Sequence, residues 1–190
     1  MQHNTDRFIV LTGGPGSGKS TLIAELAKAG HAHAPEAGRA IIQAQVAIGG
    51  HALPWADPTA FAELMLSWDM RSYDMASAGR GPVFFDRGIP DVLGYLILQG
   101  LAVPRHMENA AAAYRYNRRV FIAPPWAGIF AQDSERKQDF DKAKRTYEAM
   151  AATYTRLGYE LLELPLASVA ERAAFVLRSL GLPARPLSRP

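Results

Sequence analysis

The chain has no cysteine in its 190 residues, which excludes disulfide scaffolds, thiolate nucleophiles and cysteine-held zinc. It also has no apolar run of membrane-spanning length, and its first residues, Met-Gln-His-Asn-Thr-Asp-Arg, lack the apolar centre of a secretion signal. An excess of one charge is nearly missing too: 21 Lys and Arg face 18 Asp and Glu, a net charge of +3. So small an excess suits anionic small molecules at least as well as nucleic acid. Internal repeats and low-complexity stretches are absent, while 48% of the residues are hydrophobic. The expectation is a folded cytoplasmic protein. It forms a single domain over residues 1–181, followed by a proline- and arginine-rich tail, 182–190, that reads as frayed.

What is present starts at residue 8. Phe8-Ile-Val-Leu11 is a buried first strand, and Thr12-Gly-Gly-Pro-Gly-Ser-Gly-Lys-Ser-Thr21 follows it directly. Within this stretch lies Gly-x-x-x-x-Gly-Lys-Ser, the phosphate-binding loop (Walker A), and a helix comes next, as the motif requires. The expected nucleotide-binding residues are Gly13, Gly14, Pro15, Gly16, Ser17, Gly18, Lys19, Ser20 and Thr21. The glycines let backbone N–H groups turn inward on a phosphate, Lys19 reaches the β- and γ-phosphates, and the Ser20 hydroxyl can ligate Mg²⁺. ATP and Mg²⁺ are the cofactors this implies.

Short apolar strands then alternate with helical stretches. The pattern predicts an α/β fold of three layers with a five-stranded parallel sheet. The loop after its first strand makes it a P-loop NTPase fold; the nucleoside- or nucleotide-kinase type is what the resemblance given below implies. Strands are expected at 31–34, 83–86, 119–123 and 160–164, besides the first. Helices are expected near 37–48, 57–78, 90–99, 105–116, 135–157 and 168–180. Asp57 suits an N-cap and Pro58 the first helical position. On that helix Phe61, Leu64, Met65, Trp68 and Met75 keep helical spacing; on the one at 135–157, Phe140, Ala143, Tyr147, Met150 and Tyr154 do. The ligand belongs at the carboxyl ends of the strands.

Several residues are candidates for chemistry. Pro82-Val-Phe-Phe-Asp86 puts a carboxylate at a strand's carboxyl end, where it would hold Mg²⁺ or accept a proton from an attacking hydroxyl. Glu36 follows the second strand and faces the same crevice in such a sheet. It is a candidate general base, or else an acid complementing a helix N-terminus, and Arg39 nearby could contact the acceptor. Arg136 lies one turn ahead of Phe140 on the inward stripe, a place for a lid arginine on the transferring phosphoryl group. Arg115, Arg118 and Arg119, interleaved with Tyr114 and Tyr116, fit surface packing better than an anion site. His31 and His33 share a strand face and hint only faintly at a metal. Trp55, Trp68 and Trp126 read as core or loop anchors.

With these residues in place, the chain resembles the small bacterial P-loop proteins known as AAA-domain (type 28) ATPases or predicted kinases. These in turn are similar to the ribosylnicotinamide kinase domain of bacterial NAD regulators. The resemblance rests on Thr12–Thr21, Pro35-Glu-Ala-Gly-Arg-Ala-Ile-Ile42, Phe85-Asp-Arg-Gly-Ile-Pro-Asp91 and Tyr116-Asn-Arg-Arg-Val120. Only the first motif is specific for nucleotide; the others mark the family without fixing a substrate. It implies an adenylate-kinase-like core, not an AAA+ machine with its helical lid domain. It also implies an acid–arginine pair, Asp86-Arg87, with the arginine near a phosphate.

The catalytic set expected is therefore Lys19, Asp86, Arg87, Glu36 and Arg136, with Ser20 and Asp86 on the metal. The reaction would move the ATP γ-phosphoryl group to a small-molecule acceptor: a nucleoside, a nucleotide or something like nicotinamide riboside. No Asn-Lys-x-Asp or Leu-Ser-Gly-Gly-Gln stretch is present, which removes the usual guanine reader and the ABC subunit. The competing reading is an ATPase or regulatory switch acting through a protein partner. Nucleic-acid or lipid-phosphate binding through the basic residues near 115–119 and 136–145 ranks below both.

Overall fold

The computed structural model describes residues 4–128 and 140–183. Five parallel strands, β1 (Phe8–Gly13), β2 (Ala32–Ala34), β3 (Val83–Asp86), β4 (Arg119–Ala123) and β5 (Glu160–Glu163), form one sheet in the order β2-β3-β1-β4-β5. The helices between them are α1 (Lys19–Lys28), α2 (Ala37–Ala47), α3 (Pro58–Ser77), α4 (Ile89–Leu98), α5 (Arg105–Ala113), α6 (Phe140–Arg156) and α7 (Val169–Ser179). The α/β fold and its five-stranded parallel sheet are as the sequence predicts. Among the described residues no helix is long and apolar enough to cross a membrane.

β1 is buried along its whole length because both faces of the sheet are covered. Successive side chains on a strand point to opposite faces. Phe8 and Val10 accordingly join Phe85, Leu93 and Tyr154 under α3–α6, while Ile9 and Leu11 join Leu22, Phe121 and Val176 under α1 and α7. The chain leaves β1 toward β2 and β3 and returns past it to β4 and β5, so a crevice opens at the carboxyl end of β1. In register, Leu11 lies beside Asp86 on one side and Gly13 beside Ala123 on the other. That register brings the glycine loop and the strand-end aspartate to one place.

Two stripes differ from their sequence reading. On α3 the buried residues are Phe61, Ala62, Leu66 and Asp69, whereas Leu64 and Trp68 are each 37% exposed and Met75 is 65% exposed. Apolar side chains flank both edges of this helix, and contact with α4 and the sheet selects the edge that carries a carboxylate. On α6, Ala143, Met150 and Tyr154 are buried as expected, but Thr146 and Thr153 join them while Phe140 and Tyr147 stay partly exposed. Each threonine hydroxyl donates to a carbonyl one turn back in its own helix, Lys142 O and Ala149 O, both at 2.8 Å. That bond makes a hydroxyl tolerable inside the core. α3 starts as predicted, with the Asp57 carboxylate accepting from Ala60 N at 2.9 Å and Pro58 in the first turn. α5 ends at Ala113, short of 116, because the chain turns to send Tyr116 into the core.

Candidate active site

The loop after β1 is built by its glycines. Gly13 has φ 125°, and a side chain there would strike the backbone oxygen of Ala123. A Cβ on Gly14 would likewise strike the carbonyl oxygen of Ala143, so α6 packs straight onto the loop. Gly16 and Gly18 take φ 67° and 79°, a region ordinary residues rarely enter. The Ser17 hydroxyl donates to Gly14 O at 2.8 Å, and Lys19 Nζ donates to the same carbonyl at 2.7 Å and to Gly13 O at 3.3 Å. Lys19 is thus held across the loop although its side chain is buried. Pro15 lines the cavity described below, and Thr21 is exposed on α1. No acidic residue of its own occupies the first turn of α1, so the positive end of the helix is turned to the loop without an acid of the same helix beside it.

Asp86 closes the site from β3. It is 5% exposed, and its Oδ2 accepts from the Ser20 hydroxyl at 3.0 Å. Its other oxygen, Oδ1, is buried with no hydrogen-bond partner. Burial pushes the carboxyl up from its usual value, while the Lys19 charge pulls it back down. One carboxylate with an unsatisfied oxygen, beside one hydroxyl, fits a hard cation that keeps waters and phosphate oxygens as its remaining ligands. Mg²⁺ is such a cation.

Beside this pair, Arg87 and Asp91 form a second layer. Arg87 has φ 73°, the one non-glycine residue with positive φ among those described. Its Nε donates to Glu36 Oε1 and its Nη1 to Asp91 Oδ1, both at 3.1 Å. Burial would lower the guanidinium pKa, but Glu36, Asp91 and Asp86 together raise it. Arg87 is therefore fixed between carboxylates on the wall of the cavity described below. Glu36 does not cap α2 with its side chain; it turns to Arg87 instead. Arg39 is exposed and does not line the cavity. Arg136, the lid arginine of the sequence reading, lies outside the described residues.

A cavity of about 650 Å³ opens next to the loop, with Glu36, Asp69, Arg87 and Asp91 on its wall. α2, α3, α4 and α6 supply most of the remaining surface, largely apolar or aromatic. Phe61 and Tyr95 meet edge-to-face at 5.5 Å, and Trp55, 62% exposed, stands at the rim. Trp55 is thus a lip residue, not an anchor in the core.

Three site residues escaped the sequence reading. Asp91 accepts from Thr12 Oγ1 at 2.5 Å, Gly88 N at 3.0 Å and Tyr154 Oη at 2.6 Å, besides Arg87. Its spacing from Arg87, one helical turn, was a usable signal. Asp69 could have been found by extending the Phe61–Leu66 face of α3. Arg172, 4% exposed, donates from Nη1 to Ser17 O at 3.0 Å, and its Nε has no partner. Its place among Val169, Ala173 and Val176 on the inner face of α7 was the available sign. By contrast Arg115 stacks on Tyr159 at 4.1 Å and donates to Leu157 O, as the packing reading expects. Arg119 opens β4, at the end of the sheet away from the loop.

Fold and loop together define a P-loop protein of kinase-like architecture. A family model described as AAA domain matches residues 8–172, and the chain belongs to that family. Among solved structures, an NadR protein in complex with NR superposes with a TM-score of 0.69 at 17% identity, over 97% of this chain and 53% of that one. This chain thus spans about half the length of that protein. Deoxyadenosine kinase from M. mycoides gives 0.64 at 14% identity, covering 92% of this chain and 98% of the other. Thymidylate kinase from Ehrlichia chaffeensis gives 0.63 at 13% identity, covering 93% and 99%. At such identities the likeness is one of fold. No curated protein matches the chain.

Proposed function

We propose that this protein is an ATP phosphotransferase that moves the γ-phosphoryl group to a small-molecule acceptor bound in the 650 Å³ cavity. The observation that supports it best is the position of that cavity, with Glu36 and Arg87 on the wall it presents to the phosphate loop. A nucleotide switch needs the loop but has no use for a second pocket beside it. In the kinase reading, the loop amides and Lys19 bind the β- and γ-phosphates. Ser20 and Asp86 would hold Mg²⁺, which would supply positive charge against the phosphates. The acceptor oxygen attacks the γ-phosphorus in line, the bond to the ADP oxygen breaks, and the acceptor's proton passes to a carboxylate. Glu36 is the better placed of the two candidates, since it lines the cavity while Asp86 faces Ser20. Arg87 orients Glu36 through the 3.1 Å pair.

The test is to incubate the protein with Mg-ATP and a pool of nucleosides, nucleoside monophosphates and nicotinamide riboside, and to detect products by mass spectrometry. Lys19→Ala serves as the blank, because losing the loop cation is expected to abolish Mg-ATP binding or turnover. A product absent from the blank supports the kinase. ATP bound tightly with no product from any acceptor favours the switch, and unchanged ATP affinity and turnover in Lys19→Ala would refute the site itself.

A further inference from the structure

Asp69 is 9% exposed on the inner face of α3 and lines the cavity, yet no hydrogen bond or ion pair ties its carboxyl to a described residue. A buried polar group left without a protein partner is costly, and here it points into ligand space. The surroundings are those of a flat ring: Phe61 and Tyr95 edge-to-face, Met65 beside them and Trp55 at the rim.

The charges on the wall point the same way. Glu36, Asp69 and Asp91 stand against Arg87 and Lys142 among the described lining residues. Arg87 is already committed to two carboxylates at 3.1 Å. An acceptor bearing a phosphate monoester would bring about −1.5 to −2 charges into that setting. It would also need no general base, since its attacking oxygen is ionised at neutral pH. An alcohol does need one, and Glu36 sits where the alcohol would lie.

Resting on the kinase reading above, we propose that the acceptor is an unphosphorylated alcohol carrying a flat polar ring, nucleoside-like and not nucleotide-like, and that Asp69 reads the ring by hydrogen-bonding its polar edge. Burial, reinforced by the nearby Asp91 charge, holds the Asp69 carboxyl well above the usual range, so it can donate as well as accept.

The experiment gives the full chain Mg-ATP with two matched panels: adenosine, cytidine, thymidine and nicotinamide riboside, and their 5′-monophosphates. Product is measured by mass spectrometry, followed by steady-state kinetics on the best acceptor. Products are expected from the first panel, with the second panel about a hundredfold poorer or silent in kcat/KM. Asp69→Leu should raise KM for the accepted alcohol about tenfold or more while kcat moves less. Asp69→Asn, the substitute if the leucine variant misfolds, keeps one donor and one acceptor and should reorder the accepted rings. Phosphorylation of monophosphates in preference overturns this inference and leaves the kinase reading standing. KM and ring preference unmoved in both variants overturns the role of Asp69. Mg-ATP bound with no product from either panel overturns the kinase reading and this inference together.

Discussion

Replacing Asp91 by alanine should be the most damaging single change near the site that touches no nucleotide residue. Its carboxylate accepts from the hydroxyls of Thr12 and Tyr154, the backbone N–H of Gly88 and the guanidinium of Arg87. These donors come from β1, α6 and the β3–α4 turn, so one side chain ties three parts of the fold to each other. Thr12 and Tyr154 are completely buried and have no room to turn toward water. Burial and the Asp91 charge both push the Tyr154 phenol up, so the phenol stays a donor at any working pH. Removing one member of a buried hydrogen-bonded charge pair typically costs about 3–5 kcal/mol, out of a total stability of about 5–15 kcal/mol. A domain of this size loses about 2–4 °C of Tm per kcal/mol, so Asp91→Ala should melt roughly 6–20 °C lower. Tyr154→Phe deletes only one donor and should cost about 1 kcal/mol, a few degrees. Arg87 would also lose one of the two pairs that hold it at positive φ, and Glu36 would be less well oriented. Thermal unfolding by circular dichroism measures the first effect. An Asp91→Ala variant melting within about 2 °C of the parent would refute the reasoning, because the four donors would then have found other partners.

Asp86→Asn should keep nucleotide binding but lose phosphoryl transfer, checked by ATP titration beside a turnover assay; full activity would remove Asp86 from the mechanism. Asp69 is predicted to make stability fall with pH. Its folded pKa lies above the unfolded one, through burial first, then Asp91, Glu36 and Asp86 against Arg87, so what it contributes below the usual aspartate range is lost as pH rises toward the folded value. The Tm of Asp69→Asn relative to the parent should therefore increase between pH 5 and pH 8, and a constant difference would refute this. Arg172→Met should leave Tm within a few degrees, since a buried cation with an unpartnered Nε gives way to an apolar chain of similar length. It should nonetheless weaken ATP binding several-fold by releasing Ser17 O, and calorimetric titration that finds ATP affinity unchanged would show that the bond does not hold the loop.

The sequence by itself determined the phosphate loop, the strand before it and the helix after it. The reason is local: a left-handed turn needs glycine, a buried strand needs a short apolar run, and both are written in adjacent residues. It determined β3 and its terminal aspartate for the same reason, and the parallel α/β class from the alternation of strands and helices. What only the tertiary structure decided is who faces whom. Arg87 finds Glu36 across 51 positions, Tyr154 finds Asp91 across 63, and Arg172 finds Ser17 across 155. No spacing rule reaches that far. Nor could hydropathy choose the inner edge of α3, because apolar residues line both edges and packing against α4 selected the one that carries Asp69. The cavity exists only because four helices from different parts of the chain converge over the carboxyl end of the sheet, where strand order reverses and a crevice must open.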